Sequence, residues 1–416
     1  MSALEKRIQD CSAGVAVVGL GFVGLPLARR LMEAGFQVAG IDKYIKDEKR
    51  EEIEAEGIPV TRGFSAVSES DIVVICVPTP LTPDQNPDLS FVREATADVA
   101  RNFGGGDGQK LVILESTSYP GTTREEMLPL FEREGLELGK RLLLAYAPER
   151  ISPGTAGSAL EKIPRVAGGL DEESGRVALA FYRRIVDSVT LVSKPEVAEM
   201  TKLLENIFRA VNIALVNEMS LLCRRMDIDI WEVVEAAATK PFGFMSFRPG
   251  PGLGGHCIPV DPFYLAWKAK QYDFYPEFIE LAGKTNRGMP FHVVDWVVEA
   301  LNGEGKSAKG SKVLVIGVAY KEDVADTRES PSLEVIELLA RRGAEVVYHD
   351  SYIDMVEAGG KEYHSRELSP ETISECDCLV IVTAHSDLDL ELIASSEVPV
   401  VDTRNALGKL GLRGAL

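Results

Sequence analysis

A disulfide framework is the first thing this sequence lacks. Its six cysteines, Cys11, Cys76, Cys223, Cys257, Cys376 and Cys378, form no framework spacing, which fits a reducing cytoplasm. The one close pair, Cys376 and Cys378, has no second pair nearby, so no metal site is expected. Long apolar runs are also missing. No stretch reaches the ~20 apolar residues of a membrane-spanning helix. The early run 15–20 is short and followed by glycines and Pro26, so it reads as strand and turn rather than signal peptide. Positive charge is in deficit, with 45 Lys and Arg against 64 Asp and Glu and a net charge of −19. That disfavours nucleic acid and anionic membrane as partners, and a phosphate-bearing ligand would need local cations.

What is present is a soluble, globular composition, 45% hydrophobic and 26% charged. At 416 residues the chain exceeds one ordinary core, so two or three domains are expected. Residues 14–19 read as a buried strand, 22–35 as a helix and 37–41 as a second strand. Further apolar runs at 72–76, 111–114 and 142–146, with helical patterns between them, predict a parallel sheet covered on both faces. Cys76 and Cys223 fall in apolar patterns and read as core.

From Pro195 the period changes. Val197, Met200, Leu203, Leu204, Ile207, Val211, Ala214 and Leu215 recur at helical spacing on to Cys223, without a breaker. So long and apolar a helix predicts packing against other helices, including its own copy in a homodimer. More helix is predicted at 229–238 and up to about 301. After the Gly/Ser/Lys stretch 302–311 the strand–glycine pattern restarts at 312–317, with further strands at 345–348, 378–382 and 398–401. The fold expected is α/β: two Rossmann-like doubly wound domains, 1–194 and 308–416, joined by a long central helix and helical middle region, 195–301.

Gly19-Leu20-Gly21-Phe22-Val23-Gly24 is G-x-G-x-x-G, directly after a strand and opening a helix. The first glycine permits the tight turn, the second admits a pyrophosphate, and the third lets helix pack on strand. The helix N-terminus then faces the phosphates. Asp42 ends the second strand, 18 residues beyond Gly24, where a carboxylate suits the ribose hydroxyls of NAD and repels the 2′-phosphate of NADP. Lys43 beside it weakens that choice slightly. Val77-Pro78-Thr79-Pro80 and Glu115-Ser116-Thr117 follow strands at their carboxyl ends, where open parallel sheets bind ligands; either is also an ordinary turn.

The loop Pro249-Gly250-Pro251-Gly252-Leu253-Gly254-Gly255-His256-Cys257 places a thiol in a glycine-rich turn, a candidate nucleophile. His256 is adjacent, and adjacent side chains in an extended turn point apart, so no Cys/His pair is expected. Lys202 and Asn206 lie one helical turn apart and share a face; Lys202 is either a solvated charge or a site cation. Asp261, four residues past Cys257, is a candidate base. Glu149 follows another strand and is either a site carboxylate or a surface partner of Arg150. Lys321, Arg328 and Arg404 follow strands of the second nucleotide-type unit and suit anionic groups.

Together these motifs resemble the UDP-glucose/GDP-mannose dehydrogenase family over nearly the whole chain. The resemblance implies a four-electron oxidation of a sugar C6 hydroxyl to a carboxylate with two NAD. Cys257 would attack the C6 aldehyde, and the resulting thioester would be cleaved by water. Lys202 and Asn206 would hold the reacting oxygen, Asp261 would assist proton transfer, and Glu149 and Thr117 would serve the hydrolytic water and the nicotinamide side. The implied cofactor set is Gly19, Gly21, Phe22, Val23, Gly24, Asp42, Lys43, Thr79, Thr117 and Arg328. The implied UDP-sugar set is Glu149, Arg150, Lys202, Asn206, Gly254, Lys321 and Arg404. The glycine loop is most similar to the UDP-N-acetylglucosamine branch, with the UDP-N-acetylmannosamine branch close behind. The UDP-glucose branch often has a lysine three residues after the nucleophile, where this chain has Val260, which argues against UDP-glucose. Whether Arg248 reaches a neighbouring subunit is left open. The rivals are a two-electron β-hydroxyacid dehydrogenase, which needs no thiol, and a non-catalytic nucleotide-sugar binding protein.

Overall fold

The computed structural model describes residues 2–82, 84–106, 108–150, 160–255, 258 and 260–411. It divides into two compact units, Met1–Glu205 with Phe263–Phe274, and Asn206–Pro262 with Tyr275–Leu416.

In the first unit eight strands form one sheet: β1 (Gly14–Val18), β2 (Gln37–Ile41), β3 (Val60–Thr61), β4 (Ile72–Ile75), β5 (Lys110–Leu114), β6 (Leu142–Tyr146), β7 (Arg165–Gly169) and β8 (Val189–Val192). Their order is β3-β2-β1-β4-β5-β6-β7-β8, parallel throughout except between β6 and β7. β4, β5 and β6 are buried along their whole length, as an unbroken apolar run requires of a strand covered on both faces. Helix Gly24–Glu33 packs Leu27, Ala28 and Leu31 into the cluster of Val15, Val17, Ile72 and Val74. The carboxyl ends of β1, β4, β5 and β6 carry the glycine turn, Pro78-Thr79-Pro80, Glu115-Ser116-Thr117 and Glu149. One sheet edge thus gathers every candidate of the first unit that follows a strand, as expected of a doubly wound sheet.

In the second unit β9 (Lys312–Ile316), β10 (Glu345–His349), β13 (Cys378–Ile381) and β14 (Val400–Asp402) form a parallel sheet, β10-β9-β13-β14. A hairpin of β11 (Met355–Ala358) and β12 (Lys361–His364) stands apart from it. The period of two is visible in β9. Val313 and Val315 join one core cluster and Leu314 and Ile316 the other. Helix Glu277–Gly303 sends Met289, Val293, Val297 and Leu301 into the first of these clusters.

Helix Pro195–Arg225 runs 31 residues, and the division between units falls within it, after Glu205. The strands read from sequence appear within a residue or two of their expected ends. β3, β7, β8, β11 and β12 were not anticipated: β3 is two residues long, β7 ends in two glycines, and β8 is solvent-facing rather than buried. The stretch 302–311 begins inside a helix, which persists to Gly303.

Candidate active site

The glycine turn closes because Gly19 adopts a φ of 90°, and a Cβ there would sit 2.5 Å from the Cys76 carbonyl oxygen. A Cβ on Gly24 would overlap the Gly19 carbonyl, so helix and turn meet only because both lack side chains. Gly21 differs: a Cβ there would meet nothing within 4 Å. That open side is where a pyrophosphate needs the backbone bare, and helix Gly24–Glu33 has no side-chain cap at its N-terminus. The chain therefore fits a dinucleotide here. Asp42 accepts hydrogen bonds from the backbone N–H of Leu20 at 2.9 Å and of Tyr44 at 3.0 Å, so its carboxylate is fixed at the rim. Phe22 is 69% exposed. Lys43 pairs with Glu94 at the surface. Thr79 is buried and Thr117 half-buried.

Behind the same sheet edge lies a buried charge network that sequence reading missed. Arg165, fully buried at the start of β7, donates from Nη2 to Glu149 Oε2 at 2.5 Å and from Nη1 to Glu115 Oε2 at 3.3 Å and to the Pro148 carbonyl at 3.1 Å. The Tyr182 hydroxyl donates to Glu115 Oε1 at 2.5 Å. Burial pushes the Glu115 carboxyl up to about 7, against the pull of Arg165. Glu149 is therefore not a surface partner of Arg150. Arg150 instead forms a two-pronged pair with Glu205, and only its backbone N–H reaches Glu149. The signal that could have found Arg165 is an arginine opening an otherwise apolar, glycine-rich strand.

Glu199 was missed as well. It is fully buried on the long helix and accepts from the N–H groups of Gly121 and Thr123 and from the Thr123 hydroxyl, at 2.6, 2.9 and 2.8 Å. It ties the segment after Thr117 to the helix that carries Lys202 three residues further on. Burial pushes its carboxyl up to about 7. Lys202 itself is 8% exposed, and among the described residues its ammonium has no hydrogen-bond or ion-pair partner. A buried cation without an acceptor is costly unless something else supplies one.

Cys257 and His256 lie outside the described residues, so the structure speaks only of what surrounds them in sequence. Asp261 is fully buried at the start of helix Asp261–Lys270, and Asn206 Nδ2 donates to its Oδ2. The structure thus brings together two site residues that lie 55 positions apart. The glycine loop is anchored by amides. Gly250 N–H donates to Asn217 Oδ1 at 2.9 Å, Asn217 to Asn286 at 3.0 Å, and Asn286 to the Ala210 carbonyl at 3.0 Å. Gly254 has no room for a side chain: its Cβ would come 2.7 Å from Tyr320 Cβ. Gly255 N–H donates to the Arg328 carbonyl at 3.1 Å. The loop is laid directly on the segment that carries Lys321 and Arg328.

Of the three cations in this unit, Arg328 is held by both carboxylate oxygens of Asp326 at 2.6–3.0 Å. Arg404 donates from Nε to the Val382 carbonyl at 2.7 Å. Its guanidinium lies against Gly250, where a Cβ would come 2.7 Å from Nη1. Lys321 is half-buried. Arg248 lies in the segment before the loop and is exposed.

Comparison with known proteins matches three consecutive domain descriptions of one family. The UDP-glucose/GDP-mannose dehydrogenase family NAD binding domain covers residues 60–186, its central domain 196–288 and its UDP binding domain 314–409. Residues 5–87 also match the NAD binding domain of D-isomer specific 2-hydroxyacid dehydrogenases. The chain is 34% identical over 388 residues to a UDP-N-acetyl-D-glucosamine 6-dehydrogenase of Pseudomonas aeruginosa, covering 90% of each. It is also 34% identical over 403 residues to a UDP-N-acetyl-D-mannosamine dehydrogenase of Methanococcus aeolicus, covering 92% of this chain and 87% of that one. Its fold superposes on the structure of a UDP-D-ManNAc dehydrogenase from Pyrococcus horikoshii with a TM-score of 0.83 at 32% identity, covering 94% and 95% of the two chains.

Proposed function

This chain belongs to the UDP-glucose/GDP-mannose dehydrogenase family, and on that premise we propose that it oxidises the C6 hydroxyl of a UDP-N-acetylhexosamine to the carboxylate, with UDP-N-acetylglucosamine preferred. The observation that carries the reading is the buried Asn206–Asp261 pair: Asp261 follows Cys257 by four residues in sequence, and Asn206 follows, by one turn of the same helix, the buried Lys202, whose ammonium has no partner among the described residues. An amide, a carboxylate and a cation are the groups that stabilising and protonating a reacting oxygen require.

The cofactor is NAD, whose binding domain the N-terminal half matches. When bound, NAD accepts a hydride, so a four-electron oxidation consumes two. Gly19, Gly21, Phe22, Val23 and Gly24 hold its phosphates, Asp42 with Lys43 its ribose, and Thr79, Thr117 and Arg328 its remaining groups. Lys202 and Asn206 polarise the sugar oxygen, and Asp261 moves its proton through water. Cys257 bonds the C6 aldehyde carbon, and the thiohemiacetal becomes a thioester on loss of a second hydride. Glu149 takes the proton of the water that cleaves it. Gly254, Lys321 and Arg404 hold the UDP moiety, with Arg150 completing the sugar side. The division of labour is 1–194 for NAD, 195–301 for the catalytic loop and helix contacts, and 308–416 for UDP.

UDP-N-acetylmannosamine is the second reading, favoured by the equally similar mannosamine-acting relative. Homodimerisation through the long helix belongs to the same proposal. It is supported by Leu204, Phe208, Leu215 and Leu222, all more than 40% exposed on that helix. So does a cytoplasmic location, supported by the free thiols of all five described cysteines. Among the described residues no helix is long and apolar enough to cross a membrane.

The test is NADH yield from NAD and a panel of UDP-sugars. Two NADH per sugar with UDP-N-acetylglucosamine or UDP-N-acetylmannosamine is expected. One per sugar would point to the hydroxyacid-type chemistry, and binding without NADH to a non-catalytic protein.

A further inference from the structure

We propose that Arg165 is a positioning residue for thioester hydrolysis: held between Glu115 and Glu149, it orients the Glu149 carboxylate toward the hydrolytic water, with a grip that depends on how the guanidinium is shared with Glu115. This rests on the reading of Glu149 as the base of that step. Neither Arg165 nor Glu115 belongs to the NAD or UDP-sugar sets above.

The geometry is unusual in its charge count. One guanidinium serves two carboxylates, and all three side chains are at most 9% exposed. The pairs are unequal, 2.5 Å to Glu149 and 3.3 Å to Glu115, and the same Nη1 also reaches the Pro148 carbonyl. The three residues come from three different places on adjacent strands: the end of β5, the segment after β6, and the start of β7. Arg165 is therefore a crosslink across the carboxyl edge of the sheet. Its guanidinium carbon lies 5.4 Å from the Tyr182 ring centre, and the Tyr182 hydroxyl holds the far oxygen of Glu115. Among the described residues the buried thiol of Cys76 also faces this network, and burial keeps it protonated.

Burying a cation with a surplus of negative charge is expensive, and one carboxylate must yield. The strained member is Glu115, pushed up to about 7 by burial. When Glu115 is protonated, the guanidinium pairs with Glu149 alone and grips it most tightly. When Glu115 is ionised, the guanidinium is shared between the two carboxylates and its grip on Glu149 loosens, leaving that carboxylate to the water. In the hydrolysis the water oxygen bonds the thioester carbonyl carbon, its proton passes to Glu149, the carbon–sulfur bond breaks, and sulfur leaves as thiolate. No electrons change hands, so no oxidant is needed.

The experiment compares Arg165→Lys, Glu115→Gln and Glu149→Gln with the unmodified enzyme. Each is mixed rapidly with UDP-N-acetylglucosamine, or UDP-N-acetylmannosamine if the panel selects it, and NAD. Arg165→Lys is expected to leave the initial NADH burst within about twofold while lowering steady-state turnover by about 30-fold, within the range of a general base. A thioester adduct should then accumulate in the intact mass, with KM for the sugar little changed. Glu115→Gln is expected to abolish a rise in turnover between pH ~6 and ~8 that the unmodified enzyme shows, since an amide cannot titrate. Burst and steady state falling in proportion in Arg165→Lys, or an unchanged pH rise in Glu115→Gln, overturns the proposal. Should Arg165→Lys not fold, the Glu115→Gln profile decides alone. Full turnover by Glu149→Gln would overturn the base reading itself. A crippled Glu149→Gln beside unaffected Arg165→Lys and Glu115→Gln would remove only the role assigned to Arg165.

Discussion

Gly19 and Gly317 occupy the same station in two similar sheets, yet one turn is open and the other is filled by the chain itself. Both have positive φ, 90° and 81°, and both donate N–H to the last residue of the second strand, Ile41 at 2.7 Å and His349 at 2.8 Å. An aspartate follows that strand in each, Asp42 and Asp350. The likeness extends one amide further, since the N–H groups of Leu20 and Val318 each donate to Oδ2 of that aspartate, at 2.9 and 2.7 Å, and there it ends. Asp350 Oδ2 accepts from two consecutive amides, Val318 and Ala319, at 2.7 and 3.0 Å, and lies 3.1 Å from His385 Nε2. Helix Pro331–Arg341 is capped by Ser330 and begins with proline, whereas helix Gly24–Glu33 has no side-chain cap. Past that shared bond the second turn commits a further amide and a histidine to its aspartate, whereas the first, with Gly21 bare of neighbours, stays open to an anion. A sheet that has closed its own phosphate cradle must recognise a ligand by other groups, which is the role proposed for Lys321 and Arg404.

The comparison can be broken most severely at Gly24. Gly24→Ala drives a methyl into the Gly19 carbonyl, and NAD affinity is expected to fall at least ~100-fold by calorimetry, about 2.7 kcal/mol. The heat of UDP binding should persist. Next comes Asp350→Asn, expected to cost about 2–3 kcal/mol in chemical denaturation by weakening a buried charged acceptor, with NAD affinity unchanged. Asp350 also carries an acid dependence. Burial raises its carboxyl, but the bonds from His385 and the backbone outweigh this and hold it below the usual range. A depressed folded value means stability that is present above the unfolded value, near ~3.9, and is lost as pH falls through the folded one. The loss of stability below about pH 4 should therefore be blunted in Asp350→Asn. Gly21→Ala sharpens the contrast, because its methyl meets no atom within 4 Å. Thermal stability should hold within ~0.5 kcal/mol while NAD affinity drops about tenfold, since the methyl stands where the pyrophosphate approaches. Asp42→Asn, the mildest, should narrow the kcat/KM preference for NAD over NADP by about tenfold, as a carboxylate that repels the 2′-phosphate becomes neutral.

The open turn was legible in the sequence because every part of it is local: strand, three glycines, helix, acid. The strands β1, β2, β4, β6 and β9 were legible for the same reason, as apolar runs between breakers. What was not legible depends on distant partners. Arg165 has its meaning only beside Glu115 and Glu149, 50 and 16 residues away. Glu199 has its meaning only against Gly121 and Thr123. The Asn217–Asn286 relay under the glycine loop joins two helices 69 positions apart. The closing of the second turn was likewise hidden, because a lone Gly317 reads as a lost fingerprint whether or not Asp350 fills the gap.

The whole proposed reaction depends on a covalent bond between Cys257 and the sugar. The direct measurement is the intact mass of the protein quenched during turnover with NAD and UDP-N-acetylglucosamine or UDP-N-acetylmannosamine. The predicted result is a subunit heavier by one nucleotide-sugar acyl group, absent in Cys257→Ser, which should also release no acid. Acid released at the full rate by Cys257→Ser, with no adduct on the unmodified chain, would contradict it.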